Sequence, residues 1–253
     1  MNIVIIGSGN TAAILGRKFK RAGHEILQVV SRNASAASQL AYEWDTESAN
    51  YISLLNKNAD VYIIAVSDTA VKEITADLRL PGKVVAHTAA AIPADVLKTV
   101  TDHYGVFYPL QTLRKEMDRL PDIPVYVDGH DKIAKQILEQ LALSVSYYPP
   151  ADAGDEQRLK LHVAAVVVNN FVNHLFSLAE EYCRREGIAF AQLLPLIDET
   201  VSRIKEVSPK QAQTGPAIRH DEGTIAKHLE ILTAHPELKR VYEALTASIQ
   251  VSE

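Results

Sequence analysis

The chain opens on an apolar run, Ile3-Val4-Ile5-Ile6, that passes directly into Gly7-Ser8-Gly9-Asn10-Thr11-Ala12. Few junctions restrict a fold so tightly. A buried strand must turn sharply and enter a helix: Gly7 permits the turn, Gly9 lets a ligand approach the backbone, and Ala12 keeps the helix close to the sheet. The amides at the helix start then face an anion, and the helix dipole adds to their attraction. With an amphipathic segment over Asn10–Arg21 and a second apolar run at Ile26–Val30, Asn2 to Arg32 reads as a βαβ unit for a dinucleotide. Gly7, Ser8, Gly9, Asn10 and Thr11 are its candidate contacts. The competing reading is a glycine turn in an α/β protein that binds no nucleotide.

The second strand ends at Val30-Ser31-Arg32-Asn33. An NAD site usually offers Asp or Glu here to accept hydrogen bonds from the ribose 2′-hydroxyl. Ser31, Arg32 and Asn33 offer instead a hydroxyl, a guanidinium and an amide. Arg32 suits a 2′-phosphate, which an acidic residue would repel, so the expected cofactor is NADP(H). The alternative for Arg32 is a solvated surface charge.

Short β-branched runs alternate with amphipathic segments through the first part of the chain. Strands are expected at Ile3–Ile6, Ile26–Val30, Val61–Val66, Val84–His87, Val106–Tyr108, Val125–Val127 and Val145–Tyr148. Helices are expected near Asn10–Arg21, Ala34–Tyr42, Ser48–Asn58, Asp68–Leu78, Pro93–Val100 and Lys132–Leu141. Such alternation indicates a parallel sheet covered on both faces, a doubly wound α/β class. At Pro149-Pro150 the pattern changes, and no strand is expected beyond it. Asp155 to Arg185 reads as one long helix stopped by Gly187, with later helices opening at Pro195 (to about Val207), Pro209 and Pro236 and after a cap at Asp221. The expected organisation is a Rossmann domain over 1–150 and a smaller, all-helical substrate and dimerisation domain over 151–253.

With 253 residues the chain can bury a core without disulfide or metal staples, and its one cysteine, Cys183, forms no intrachain bridge. A net charge of -5 argues against a chain-wide nucleic-acid footprint. The start lacks a basic, cleavable leader pattern, and the longest apolar run, Val163 to Val168, is short for a bilayer span. A cytoplasmic protein without membrane or nucleic-acid partners is expected. The histidine spacing and the lack of a cysteine pair speak against a structural metal.

Two further strand ends face the crevice where such folds bind ligands: Ala65-Val66-Ser67, with Asp68 as an ordinary helix cap, and His87-Thr88. His87 fits polar lining better than a proton relay. In the long helix, regular spacing puts His162, Asn169 and Asn173 near one face, with Asn170 slightly off it. They form either a substrate pocket or a polar network between helices. In the pocket reading His162 is the acid/base and Asn170 orients substrate. After Thr214-Gly215-Pro216, Arg219 is either a clamp on a substrate carboxylate or phosphate, or part of an ordinary capping loop with His220 and Asp221.

Given the glycine loop, the Ser31-Arg32 ending, Tyr108-Pro109-Leu110-Gln111-Thr112 and Thr214-Gly215-Pro216, the chain resembles, over essentially its whole length, a bacterial family of Rossmann-like proteins with a C-terminal helical domain of unknown function. These are described as NADP oxidoreductases related to deazaflavin-dependent NADP reductases. The wider relatives are 6-phosphogluconate, β-hydroxyacid and pyrroline-5-carboxylate reductase-like enzymes. The resemblance implies an N-terminal NADP domain, a helical domain that dimerises, and an active site between them. Where the family often reads His-Thr-Ser-Gly-Ser, this chain has His87-Thr88-Ala89-Ala90-Ala91, and where a His often precedes Pro-Leu-Gln it has Tyr108. The lysine–asparagine pair of β-hydroxyacid enzymes is not reproduced, since Lys160 is followed four residues later by Ala164.

Two functions are therefore expected to compete. One is an NADP-dependent oxidoreductase moving hydride to or from a small carbonyl, imine or hydroxy compound, acting as a homodimer. The other is a non-catalytic NADP(H) sensor or regulatory protein.

Overall fold

The structure, a computed structural model, describes residues 1–251. Asn2–Ile6 (β1), Glu25–Val30 (β2), Glu47–Ala49 (β3), Val61–Ile64 (β4), Val84–His87 (β5), His103–Pro109 (β6), Val125–Gly129 (β7) and Ala151–Asp152 (β8) form one sheet. Its order is β3-β2-β1-β4-β5-β6-β7-β8. Every neighbouring pair is parallel except β6 with β7. The helices between strands are Asn10–Arg21 (α1), Ala34–Trp44 (α2), Asp68–Asp77 (α3) and Lys132–Val145 (α4).

Alternation along β1 builds the two faces. Ile3 and Ile5 enter one apolar cluster with Phe19, Trp44, Phe107 and Leu138, while Val4 and Ile6 enter another with Tyr62, Leu97 and Tyr104. Both clusters are buried, as expected of a mostly parallel sheet with helices on each side. Close packing of α1 on α2 depends on Gly16, because the Trp44 ring occupies the space a side chain would need there.

Several expected elements differ. Ser48–Asn58 is not a helix: it supplies β3 and a short 3-10 turn at Ile52–Leu54. Tertiary contact overrides local propensity here, because the buried Gln28 side chain donates to Leu54 O and accepts from Asn56 N. Pro93–Val100 shrinks to a 3-10 turn at Ala94–Leu97. Val145–Tyr148 forms no strand. Val145 continues the buried Leu138–Leu141–Ala142 stripe of α4, and Tyr147 and Tyr148 are exposed. The strand lies later, at β8, so strand structure does continue past the double proline.

The long helix is present as Asp155–Ala165 (α5), a π-helical segment Val166–Phe171, and Val172–Arg185 (α6). By length and composition alone it is long and apolar enough to cross a membrane, with 31 residues and a mean hydropathy of 1.3 over its most apolar stretch. It nevertheless carries His162, Asn169, Asn170, Asn173 and His174 along that stretch, and polar groups are costly in lipid. The chain divides into two compact units, Met1–Val166 and the part from Val167 onward. In the second unit follow Leu194–Arg203 (α7), Pro209–Ala212 (α8), Glu222–Ile231 (α9) and Pro236–Val251 (α10). Pro195 is the second residue of α7, which ends at Arg203 rather than near Val207. Ser208 closes a capping box on α8, and Asp221 caps α9 by accepting from Thr224 N.

Candidate functional site

β1 lies between β2 and β4, so strand order reverses beside it and leaves a crevice outside the carboxyl ends of the strands. A cleft of about 510 Å³ occupies this place. It is lined by the glycine loop from Gly7 to Thr11, by Ser31, Arg32 and Asn33 after β2, and by Ala65, Val66 and Ser67 after β4. Sequence reasoning missed part of the opposite wall: Asn50 and Ile52 come from the segment read as helix, and Ala70 and Ile74 from α3.

The two loop glycines are required for different reasons. Gly7 sits at φ +128°, and any Cβ there would strike the Ala65 carbonyl of the neighbouring strand end. Gly9 has open space where its Cβ would point, so the fold itself tolerates a side chain there and only a ligand would not. Ser8 Oγ and Ser31 Oγ share a hydrogen bond of 2.8 Å, which joins the first two loops. Asn33 caps α2 by accepting from Ala36 N at 3.0 Å, and Asn10 accepts from Lys115 N at 3.2 Å. Arg32 donates from Nη1 to Glu73 at 3.0 Å. Among the described residues no Asp or Glu lines the cleft. Glycines, hydroxyls, an arginine and an open Gly9 position fit the pyrophosphate and 2′-phosphate of NADP(H).

His87 and Thr88 lie outside this lining. The His87 ring is wholly buried, with Nδ1 accepting from Ala89 N at 3.2 Å and Nε2 3.3 Å from Pro93 O. Burial pushes its pKa down to about 4, outweighing the Pro93 contact, so the ring is neutral and holds the Ala89–Pro93 loop. Thr88 donates its amide to Ile64 O.

His162, on α5, meets Tyr108 at the end of β6: Nδ1 and the phenol oxygen are 3.1 Å apart, with the rings edge to face. Burial raises the Tyr108 pKa, and the Arg158 charge partly opposes it. Tyr108 entered the sequence reading only as a departure from a pattern, and Arg158 did not enter it. Arg158 is fully buried on α5, four residues before His162. A cation on the same helical face as a candidate site histidine was the signal available for it. Lys160 points away, exposed and paired with Glu156.

The other nominated residues belong to the second unit. Asn170 and Asn169 lie in the π-helical segment and Asn173 follows it, all three exposed. Because that segment is wound more loosely than an α-helix, the 3.6-residue arithmetic that grouped His162 with Asn169 and Asn173 does not carry across it. Arg219 is exposed in a turn between Gly215, at φ +107°, and the Asp221 cap. Among the described residues no group of three or more His, Cys, Asp or Glu side chains is placed to hold a metal ion.

A doubly wound sheet with this cleft defines the class of the fold, the Rossmann type found in NADP oxidoreductases. Residues 2–91 match the family described as NADP oxidoreductase, coenzyme F420-dependent, and residues 123–249 match the family described as Domain of unknown function (DUF2520). The chain belongs to the DUF2520 family, carrying that Rossmann domain ahead of it. Among solved structures it is 38% identical to a "putative NADP oxidoreductase" of Bacteroides fragilis, covering 98% of this chain and 97% of that one at a TM-score of 0.91. A reductive aminase of Aspergillus terreus, solved with NADPH and ethyl levulinate, shares the fold at 17% identity, 99% and 93% coverage and a TM-score of 0.73. The 1-pyrroline-5-carboxylate reductase of Streptococcus pyogenes does so at 16% identity, 99% and 98% coverage and a TM-score of 0.65. No protein of curated function matches the chain by sequence.

Proposed function

We propose that the protein is an NADP-dependent oxidoreductase acting on a small carbonyl, imine or hydroxy compound, with Tyr108 and His162 as its proton-handling pair. The observation that carries this reading is their 3.1 Å contact at the strand edge that also carries the cofactor cleft. Bound NADP(H) supplies or accepts the hydride. The buried Tyr108 phenol keeps its proton and shares a hydrogen bond with His162 Nδ1, so Nε2 is the ring nitrogen proposed to serve substrate. In reduction the ring acts as the imidazolium: Nδ1–H is held by the phenol oxygen, and Nε2 gives its proton to the oxygen or nitrogen of the substrate as hydride arrives, which leaves a neutral ring; in the opposite direction neutral Nε2 takes that proton up. Asn170 and Arg219 are proposed to orient substrate, with 1–150 serving the cofactor and 151–253 the substrate.

A homodimer and a cytoplasmic location belong to the same proposal. Exposed apolar residues along the long helix, among them Val168 and Phe171, support the first, and the lone buried Cys183 suits the second. One observation favours the sensor reading: Lys160 is turned to solvent and the Ala89-Ala90-Ala91 segment has no polar side chain, so the lysine chemistry of related enzymes is missing.

The test is NADPH oxidation with a panel of small ketones, aldehydes and cyclic imines. His162→Gln and Tyr108→Phe are each expected to lower kcat by about 10²- to 10⁴-fold, with NADPH affinity unchanged. Tight NADPH binding without turnover across the panel would favour the sensor. Full turnover in His162→Gln would remove the histidine from the chemistry.

A further inference from the structure

Arg158 is an unusual residue to find fully buried, because a guanidinium retains its charge and must be repaid for lost water at every N–H. Three of its four hydrogen bonds go to backbone carbonyls. Nε donates to Ala90 O at 3.1 Å, Nη2 to Ile92 O at 2.7 Å and to Asp155 Oδ1 at 2.6 Å, and Nη1 to Ala153 O at 3.4 Å. Asp128 on β7 stands 3.8 Å from Nη1. Each of its three nitrogens thus has a partner within the protein, which commits Arg158 to the fold rather than to a substrate anion.

The contacts join three places: the loop after β5 at Ala90 and Ile92, the Ala153 carbonyl just after β8, and the first turn of α5 at Asp155. Asp155 extends the clamp by accepting from Ala94 N at 3.0 Å. One turn beyond Arg158 on α5, on the same face, stands His162, whose partner Tyr108 lies at the end of β6, the strand next to β5. A lysine, with one compact ammonium, cannot replace a planar fork that reaches two loop carbonyls and a carboxylate at once.

We propose that Arg158 is the positioning residue of the Tyr108–His162 pair: by fixing the start of α5 to the loop after β5, it sets the distance and tautomer of the His162 ring. This rests on the reading of that pair as the proton-handling site, but it is read out separately. The charged and titratable groups around the cluster are Asp128 and Tyr126 on β7, Asp152 on β8, Lys135 on α4, Asp155 on α5, His87 on β5, and the pair itself.

The experiment uses the full chain labelled with ¹⁵N-histidine, with the His162 signals assigned by their loss in His162→Gln. In the native protein the ring is expected in one tautomer. In Arg158→Lys it is expected to average both tautomers, while the fold is kept and the NADPH affinity stays within about two-fold of native. Asp155→Asn, which loosens the clamp but leaves the arginine in place, is expected to move the same signals in the same direction by less, and serves if Arg158→Lys does not fold. A folded Arg158→Lys or Asp155→Asn protein with the native His162 spectrum would overturn the proposal. The turnover assay with His162→Gln tests the proton-handling reading on its own, so failure of either is recognised without the other.

Discussion

Arg32, from the loop after β2, donates to the carboxylate of Glu73 on α3 at 3.0 Å, and the two side chains are 80% and 62% exposed. The pair stands beside Ile74, which lines the cofactor cleft. A 2′-phosphate held by Arg32 therefore replaces, or shares the guanidinium with, a carboxylate already in place. Exposed pairs of this kind are worth at most about 1 kcal/mol, so the exchange favours the phosphate. Glu73→Gln is expected to tighten NADPH binding by up to about five-fold and leave NADH unchanged, whereas Arg32→Ala weakens NADPH by about 10- to 100-fold. Fluorescence titration of both nucleotides against the three proteins checks this. Equal losses for NADPH and NADH in Arg32→Ala would remove the arginine from 2′-phosphate recognition.

The two glycines of the loop are expected to separate stability from binding. Gly7→Ala places a Cβ against the Ala65 carbonyl at a positive φ and should cost about 2 kcal/mol or more in urea unfolding. Gly9→Ala meets open space and should leave the unfolding midpoint near native while weakening NADPH about ten-fold or more. Native affinity in Gly9→Ala would mean that the pyrophosphate does not lie against this turn.

His87 predicts an acid sensitivity of the fold. The unfolded chain takes up a proton as the pH falls through the ordinary 6.5, but the buried ring resists until about 4. The unfolded state binds more protons over that interval, so stability falls as pH falls. The stabilisation is fully present above 6.5 and lost by about 4, amounting to roughly 3 kcal/mol. Unfolding free energies measured across this window should fall less steeply in His87→Gln than in the native protein. Parallel pH profiles would show that the native ring is not held neutral.

The exposed apolar residues of the long helix carry the dimer proposal. Val168 is 71% and Phe171 58% exposed. Light scattering is expected to give twice the chain mass for the native protein and the monomer mass for Val168→Glu combined with Phe171→Glu. A native monomer at micromolar concentration would refute the dimer.

Much of the fold was legible in the sequence because its strands are buried on both faces and stand out as β-branched runs. The glycine loop was legible for a different reason: each position answers to a local backbone requirement that residue type alone reveals. What escaped was set by distant partners. Gln28 holds the Leu54–Asn56 segment out of a helix, and nothing within Ser48–Asn58 records that. The helical period that claimed Val145 for α4 was present, but the aromatic pair after it obscured it. The cleft's glycine and arginine side was readable, while Asn50, Ile52, Ala70 and Ile74 come into it only through folding. Arg158 was hidden because a charged residue on a helix is normally solvated, and only the surrounding carbonyls make burial tolerable.

The sheet is bounded by β3, three residues long, and β8, only two. Unpaired backbone at a sheet margin is what lets one chain recruit another into a growing ribbon, and here almost none is offered. Eight strands is therefore a closed number for this architecture. A crowded solution of the folded protein should resist fibril growth by strand addition at either margin, whatever the helices do.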